Sequence, residues 1–116
     1  MALNKNWEKN ELGLFDADME AIVSVLSREP KVERAFIFGS RAKGNFKNGS
    51  DIDLALKGEN LDFNTVSKIS YHLNEETAMP YKFDVLNYHS IKELTLIDHI
   101  DGVGIEFYSR LKKTPH

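Results

Sequence analysis

Residues 35–56 of this chain read AFIFGSRAKGNFKNGSDIDLAL, and this stretch decides the fold. Its first four residues are apolar or aromatic and precede a glycine, which predicts a largely buried strand over 35–38. Its last six residues alternate polar or small side chains with aliphatic ones, which predicts a half-buried strand over 51–56. Residues 40–44 fit one helical turn that ends at a glycine. Because only about a dozen residues join the strands, an antiparallel pair is at least as strongly favoured as a parallel crossover.

Further helices and strands are predicted on both sides of this stretch. Apolar residues at helical spacing indicate one helix that ends at about residue 29 and another over about 62–77. The sequence YKFDVL predicts a third strand over 81–86, and a third helix is predicted over 91–100. Residues 104–108 fit either a short last strand or a continuation of that helix. The candidate helix caps are Asp16 or Asp18, Asp62 and Ser90.

The order of these elements predicts the α/β (α+β) class, with a small mixed β-sheet flanked by helices. With 116 residues, 41% hydrophobic and 28% charged, the chain has room for one compact domain over 1–116. A separate substrate-binding domain is thereby excluded. We expect residues 1–15 to form an N-terminal extension and residues 111–116 a flexible tail.

Composition also narrows the classes of function. The net charge of -3 argues against a surface for nucleic acid or anionic lipid. No signal-peptide core and no run of about 18 apolar residues is present, so we expect a cytoplasmic protein without a membrane partner. The sequence contains no cysteine. Any metal must therefore be held by oxygen or histidine ligands, which favours hard cations.

Three aspartates are candidate catalytic residues and metal ligands. Asp51 and Asp53 lie two positions apart on a predicted strand, so both side chains leave the same face, with Cα atoms about 7 Å apart. Asp84 interrupts an apolar strand, where an unpaired charge is costly. Neighbouring carboxylates repel each other unless a proton or a cation such as Mg²⁺ lies between them. The three together predict a Mg²⁺ site, although each pattern alone also fits a solvated strand face.

The sequence gives no comparable reason to assign a metal to the histidines. They share no ligand spacing with one another or with the aspartates, so surface or half-buried positions are predicted for them. These residues are His72, His89, His99 and His116.

The glycine-rich turn after the first strand is a candidate phosphate cradle. Gly39 lets the backbone approach a ligand closely, and Ser40 adds a hydroxyl donor. Arg41 and Lys43 add cations suited to a polyphosphate. On its own the turn also fits an ordinary Gly-Ser turn with solvated basic residues, and it lacks the spacing of a P-loop.

Taken together, these motifs resemble those of the minimal nucleotidyltransferases, a branch of the DNA polymerase β superfamily. The motifs are FGSRAKG at 38–44, SDIDL at 50–54 and FDV at 83–85. The resemblance covers nearly the whole chain, and no position of the motifs departs from the family pattern. It implies the polymerase-β-like nucleotidyltransferase fold.

The resemblance also implies the roles of the site residues. Asp51 and Asp53 would bind two Mg²⁺ ions, and Asp84 would bind the catalytic ion and orient or deprotonate the attacking hydroxyl. The implied reaction moves a nucleoside monophosphate, with AMP from ATP favoured, to a hydroxyl of a protein or small molecule. Pyrophosphate is the other product.

By the same resemblance, the glycine-rich turn would hold ATP or another nucleoside triphosphate. Gly39 and Ser40 would bind its β- and γ-phosphates. Arg41 and Lys43 would be further phosphate contacts, with Arg41 favoured because it adjoins the cradle.

The resemblance implies a partner chain as well, because no residues remain to build the helical domains of larger family members. Similar proteins are paired with a small HEPN-type helical protein. That partner is either a substrate-binding subunit or a toxin that the nucleotidyltransferase modifies. We therefore expect a hetero-oligomer, with a homo-oligomer as the alternative. A competing hypothesis is an antitoxin or regulatory module that neutralises such a partner by contact alone. A third is a small-molecule modifier, which would need to oligomerise to build its pocket.

Overall fold

The computed structural model describes residues 8–110, so the first seven residues of the predicted N-terminal extension and the predicted tail at 111–116 lie outside the described residues. The elements in chain order are α1 (Asp16–Ser27), β1 (Arg34–Phe38), α2 (Ser40–Lys43), β2 (Ile52–Lys57), α3 (Phe63–Glu75), β3 (Phe83–Asn87), a 3₁₀ turn (Tyr88–Ser90), α4 (Leu94–Val103) and β4 (Ile105–Ser109). The segment at 104–108 is thus mainly a strand. Within the described range, no helix combines the length and apolarity needed to span a membrane.

The four strands form one mixed sheet in the order β3-β2-β1-β4. β1 pairs antiparallel with both β2 and β4, whereas β2 pairs parallel with β3 through the α3 crossover. The pairing of β1 with β4 shifts register between Ala35 and Phe36, which marks an irregularity of the bulge type. The predicted small mixed sheet flanked by helices is confirmed, and of the two arrangements that the short connection leaves open for β1 and β2, the antiparallel pair is the one observed.

Side-chain alternation along the strands separates the two faces of the sheet. On the first face, Ile37 and Leu54 are fully buried together with apolar residues of α1 and α3. On the second face, Phe38 and Ala55 form a smaller cluster with Ile100 of α4. Within residues 8–110, the helical members of this cluster come from α4 and from the 3₁₀ turn at Tyr88, whereas the first face is packed by α1 and α3, so the second face is the less covered one.

The beginnings of α1 and α3 show how short polar side chains position helices. The Asp62 carboxylate accepts the N–H of Thr65 at 2.9 Å, so the predicted cap of α3 is confirmed. The predicted cap of α1 at Asp16 or Asp18 is wrong, because the N-cap is Phe15. The Asp18 carboxylate instead reaches back from the first turn and accepts the Phe15 N–H at 3.0 Å.

The predicted cap of the last helix at Ser90 is also wrong. Residues 88–90 form a 3₁₀ turn that follows Asn87, whose side-chain oxygen accepts the N–H of His89 at 3.0 Å. α4 therefore begins only at Leu94. The hydrogen bond between the Asn87 side chain and the His89 N–H forms in place of a longer helix because it satisfies a backbone donor only two residues away.

Candidate active site

The three candidate aspartates lie at one end of the β2–β3 pair. In the parallel register Asp53 is opposite Asp84, and Asp51 immediately precedes β2. By alternation Asp51 and Asp53 share the second, less covered face of the sheet with Ala55. Asp51 and Asp84 are exposed, whereas Asp53 is half-buried. The strands thus bring together three carboxylates from two sequence-distant motifs on an open surface.

The environment of Asp53 alters the pKa of its carboxyl group. Its pKa is raised above the ordinary value for an aspartate, first by burial and then by the negative charges of Asp84 and Asp51, while His99 acts in the opposite direction. Among residues 8–110, none of these three carboxylates forms an ion pair or a side-chain hydrogen bond with another residue. The cluster therefore has negative charge without an internal partner to neutralise it.

The donor chemistry of this cluster fits Mg²⁺, which prefers carboxylate oxygens together with water and substrate phosphates. The side chains are not gathered around one point, since no three acidic or histidine side chains of the described residues are placed to hold a metal ion. The two exposed members, Asp51 and Asp84, have the freedom to rotate towards Asp53. The cluster thus has the ligands for a hard cation, with the half-buried carboxylate as its fixed member.

Gly39 places the backbone of the glycine-rich turn directly against this cluster. It has φ 76° and ψ −151°, a region that is essentially restricted to glycine. A Cβ atom added there would lie 2.2 Å from Oδ2 of Asp53. The turn then enters α2, which ends at Gly44 in the left-handed conformation, as predicted. Glycine at position 39 therefore permits both the turn and the close approach to Asp53.

Replacing Gly39 with alanine is expected to lower the free energy of unfolding by about 3 kcal/mol, because the new Cβ adds a collision with Asp53 to the backbone strain. The matched control is Gly44→Ala. Its φ of 85° is also positive, but the backbone lies in the less costly left-handed region and the added Cβ meets nothing within 4 Å, so a loss of about 1 kcal/mol is expected. Thermal unfolding of both variants measures the difference. Equal losses would show that the contact with Asp53 is not decisive.

Arg41 does not lie where a phosphate could reach it. Its side chain is 2% exposed, and its guanidinium donates to the carbonyl oxygens of Leu12 at 2.9 Å, Gly13 at 3.3 Å and Ser50 at 2.8 Å. The same group lies over the rings of Phe46 and Tyr81 at 5.1 and 4.9 Å from their centroids. The predicted phosphate contact of Arg41 is therefore contradicted by its position, because every face of the guanidinium is occupied by protein.

The other two residues of the predicted cradle remain accessible. Lys43 is exposed at the end of α2 and forms no ion pair with any residue in the described part of the chain. Ser40 is half-buried and begins α2 immediately after Gly39. Of the two basic residues in the turn, only Lys43 can present its charge to a ligand from this position.

His99 belongs to the site and was passed over in the sequence. Its Nε2 accepts the backbone N–H of Gly39 at 3.1 Å, and its ring lies edge-on to Phe38 with centroids 6.0 Å apart. It is carried by α4, sixty residues along the chain from Gly39. Metal-ligand spacing cannot reveal such a residue, because it contacts a backbone amide and not a metal. The sequence itself shows only a histidine that precedes an isoleucine in a predicted helix, which does not indicate a functional role.

Comparisons with known proteins agree with this geometry. The family model for "Polymerase beta, Nucleotidyltransferase" matches residues 20–113. A comparison with curated proteins finds no match. One similar solved structure is a toxin–antitoxin with AMP-PNP, a chain of which is 22% identical with a TM-score of 0.66, over 81% of this chain and 75% of that chain.

Two further solved structures have the same fold. A chain in the solved structure of the tri-AMPylated Shewanella oneidensis HEPN toxin in complex with MNT antitoxin is 20% identical with a TM-score of 0.61, over 80% of this chain and 71% of that chain. A putative nucleotidyltransferase from Sulfolobus solfataricus gives 22% identity and a TM-score of 0.52, over 84% and 81%. The four-stranded mixed sheet is thus the polymerase-β-like fold. Because the family model covers most of its length, the chain belongs to the polymerase beta nucleotidyltransferase family and is a nucleotidyltransferase.

Proposed function

We propose that this nucleotidyltransferase depends on Mg²⁺ and moves AMP from ATP to a hydroxyl group of a protein or small molecule. The observation that carries the proposal is the pairing of Asp53 with Asp84 on an open sheet face, with the Gly39 backbone packed against Asp53. This arrangement places carboxylates for a cation beside a turn that a phosphate can approach. Similarity to a structure with AMP-PNP supports an adenine nucleotide as the substrate.

In this proposal each residue has a role that follows from its position. Asp51, Asp53 and Asp84 hold Mg²⁺, which neutralises phosphate charge and stabilises the attacking and leaving oxygens. Half-buried Asp53 provides the fixed ligand, while Ser40 and Lys43 contact the β- and γ-phosphates. Exposed Asp84 orients the acceptor hydroxyl and accepts its proton.

The transfer itself is an in-line displacement at the α-phosphorus of ATP. The acceptor oxygen forms a bond to phosphorus as the bond to the bridging oxygen breaks, and pyrophosphate leaves with that oxygen. The protein contributes mainly position and charge, since no residue needs to form a covalent intermediate. Because Asp84 is exposed, an acceptor hydroxyl can approach it from solvent.

We further propose that the acceptor is a HEPN-type helical partner. Support comes from the similar structures, which include a toxin–antitoxin and an AMPylated HEPN toxin in complex with MNT antitoxin. A partner would also supply surface that this chain lacks on the second face of its sheet, where α4 is the covering helix. Hetero-oligomer formation is therefore expected to precede transfer.

The test is intact mass spectrometry of both proteins after incubation with Mg²⁺, ATP and a HEPN-type partner, which is first sought in the adjacent reading frame. A gain of one or more AMP units on the partner, abolished by chelation of Mg²⁺, is the expected result. A stable complex without any mass gain would contradict transfer and favour the alternative, neutralisation by contact. Replacing ATP with GTP, CTP or UTP in parallel reactions measures the base preference.

A further inference from the structure

We propose that His99 is a positioning residue of the nucleotide site, which fixes Gly39 against Asp53 and thereby sets the shape of the phosphate turn. The inference deepens the proposed function and rests on it. Its starting point is the bond from the Gly39 N–H to Nε2 of His99 at 3.1 Å. This contact joins α4, on the second face of the sheet, to the turn that follows β1.

The backbone of Gly39 is held on both of its polar groups. Its N–H donates to His99, and its carbonyl oxygen accepts the N–H of Lys43 at 3.1 Å. Since the Gly39 N–H is already bonded, a phosphate would meet Ser40 and Lys43 instead. Gly39 then contributes its close approach to Asp53, and His99 keeps the peptide in the orientation that allows this approach.

The His99 ring is itself well fixed. It lies edge-on to Phe38, and the next residue, Ile100, is buried in the cluster with Phe38 and Ala55. Because Nε2 acts as the acceptor, the neutral ring carries its proton on Nδ1. A rigidly held acceptor of this kind orients a peptide without contacting the reacting atoms.

The chain contains a matched control for this contact. Nε2 of His89 accepts the N–H of Gly58, also at 3.1 Å. Gly58 is also crowded, since an added Cβ would lie 2.0 Å from the carbonyl oxygen of Lys31. This second contact lies beyond the far end of β2, five residues or roughly 16 Å along the strand from Asp53. It therefore repeats the chemistry of the first contact outside the site.

The experiment compares His99→Phe, His99→Gln and His89→Phe with the wild type. Phenylalanine keeps an aromatic ring but removes the acceptor, whereas glutamine restores an acceptor near the position of Nε2. We expect His99→Phe to raise KM for ATP about tenfold with kcat within about twofold, as the loss of one hydrogen bond predicts. We expect His99→Gln to recover most of the loss and His89→Phe to leave both constants unchanged.

Hydrogen exchange of the Gly39 amide, measured without nucleotide, gives a readout that does not depend on activity. We expect about tenfold faster exchange at Gly39 in His99→Phe and wild-type exchange in His89→Phe. Three results would each overturn the proposal. In His99→Phe they are unchanged exchange together with unchanged KM, or tighter ATP binding. The third is a His99→Gln variant that is as impaired as His99→Phe. A wild-type protein that neither binds nor transfers ATP would overturn the proposed function, while faster Gly39 exchange in His99→Phe would still support the positioning contact.

Discussion

Replacing Asp53 with asparagine is expected to reduce AMP transfer at least about a thousandfold while leaving the melting temperature equal to or above that of the wild type. The amide keeps the shape of the side chain but removes the charge that binds the cation. It also removes a partly buried charge and its repulsion from Asp84 and Asp51, which together raise the pKa of Asp53. Activity and stability therefore move in opposite directions, which separates a functional carboxylate from a structural one.

The control for this variant is Asp62→Asn, on the surface at the start of α3. Asparagine caps helices about as well as aspartate, so the fold is retained and transfer is expected to stay within about twofold of wild type. Intact mass of the partner and thermal melting of each variant are the two measurements. Transfer retained by Asp53→Asn would refute the proposed role of the cluster.

Replacing Arg41 with methionine is expected to lower the free energy of unfolding by about 3–5 kcal/mol. The variant leaves the buried carbonyl oxygens of Leu12 and Gly13 and the half-buried one of Ser50 without the Arg41 donor, and each unsatisfied buried group costs about 1–3 kcal/mol. Methionine has a similar length, so the loss of hydrogen bonds dominates over the loss of packing. Thermal melting is expected to shift downward by at least about 10 °C.

Lys43→Met provides the matched comparison on the same short helix. Because Lys43 is exposed and unpaired among residues 8–110, stability is expected to change by less than about 0.5 kcal/mol, while KM for ATP rises. The two variants thus test two separate roles, in which Arg41 stabilises the fold and Lys43 contacts the nucleotide. An Arg41→Met protein that melts like the wild type but fails to bind ATP would reverse this assignment.

Local patterns predicted the parts of the fold that depend on neighbouring residues. The short connection between two strand patterns indicated the antiparallel hairpin of β1 and β2, and Asp62 indicated the start of α3. Ser90 failed as a cap because Asn87, a competing polar residue three positions earlier, forms the turn that interrupts the segment. Such competition between adjacent polar residues is decided by backbone geometry, which composition does not reveal.

The candidate residues could be selected from the sequence where the motif shows the residue types that the proposed chemistry needs, as with the paired aspartates and Gly39. Arg41 was assigned to a phosphate because its charge and position beside Ser40 are visible in the sequence. Its actual partners come from separate segments, among them Leu12, Phe46 and Tyr81. Only the tertiary fold brings these together around one guanidinium, so no local pattern could distinguish a buried anchor from a ligand contact.

The connectivity of the sheet gives the site an order of assembly. Closing the β1–β2 hairpin requires only the loop at 39–51, whereas placing Asp84 beside Asp53 requires the whole α3 crossover. Longer closures cost more chain entropy and slow folding, so the hairpin is expected to form first. An intermediate arrested at that stage holds Gly39 and Asp53 but lacks Asp84. If Asp84 has the role proposed for it, a newly made chain gains transfer activity only when its parallel strand docks.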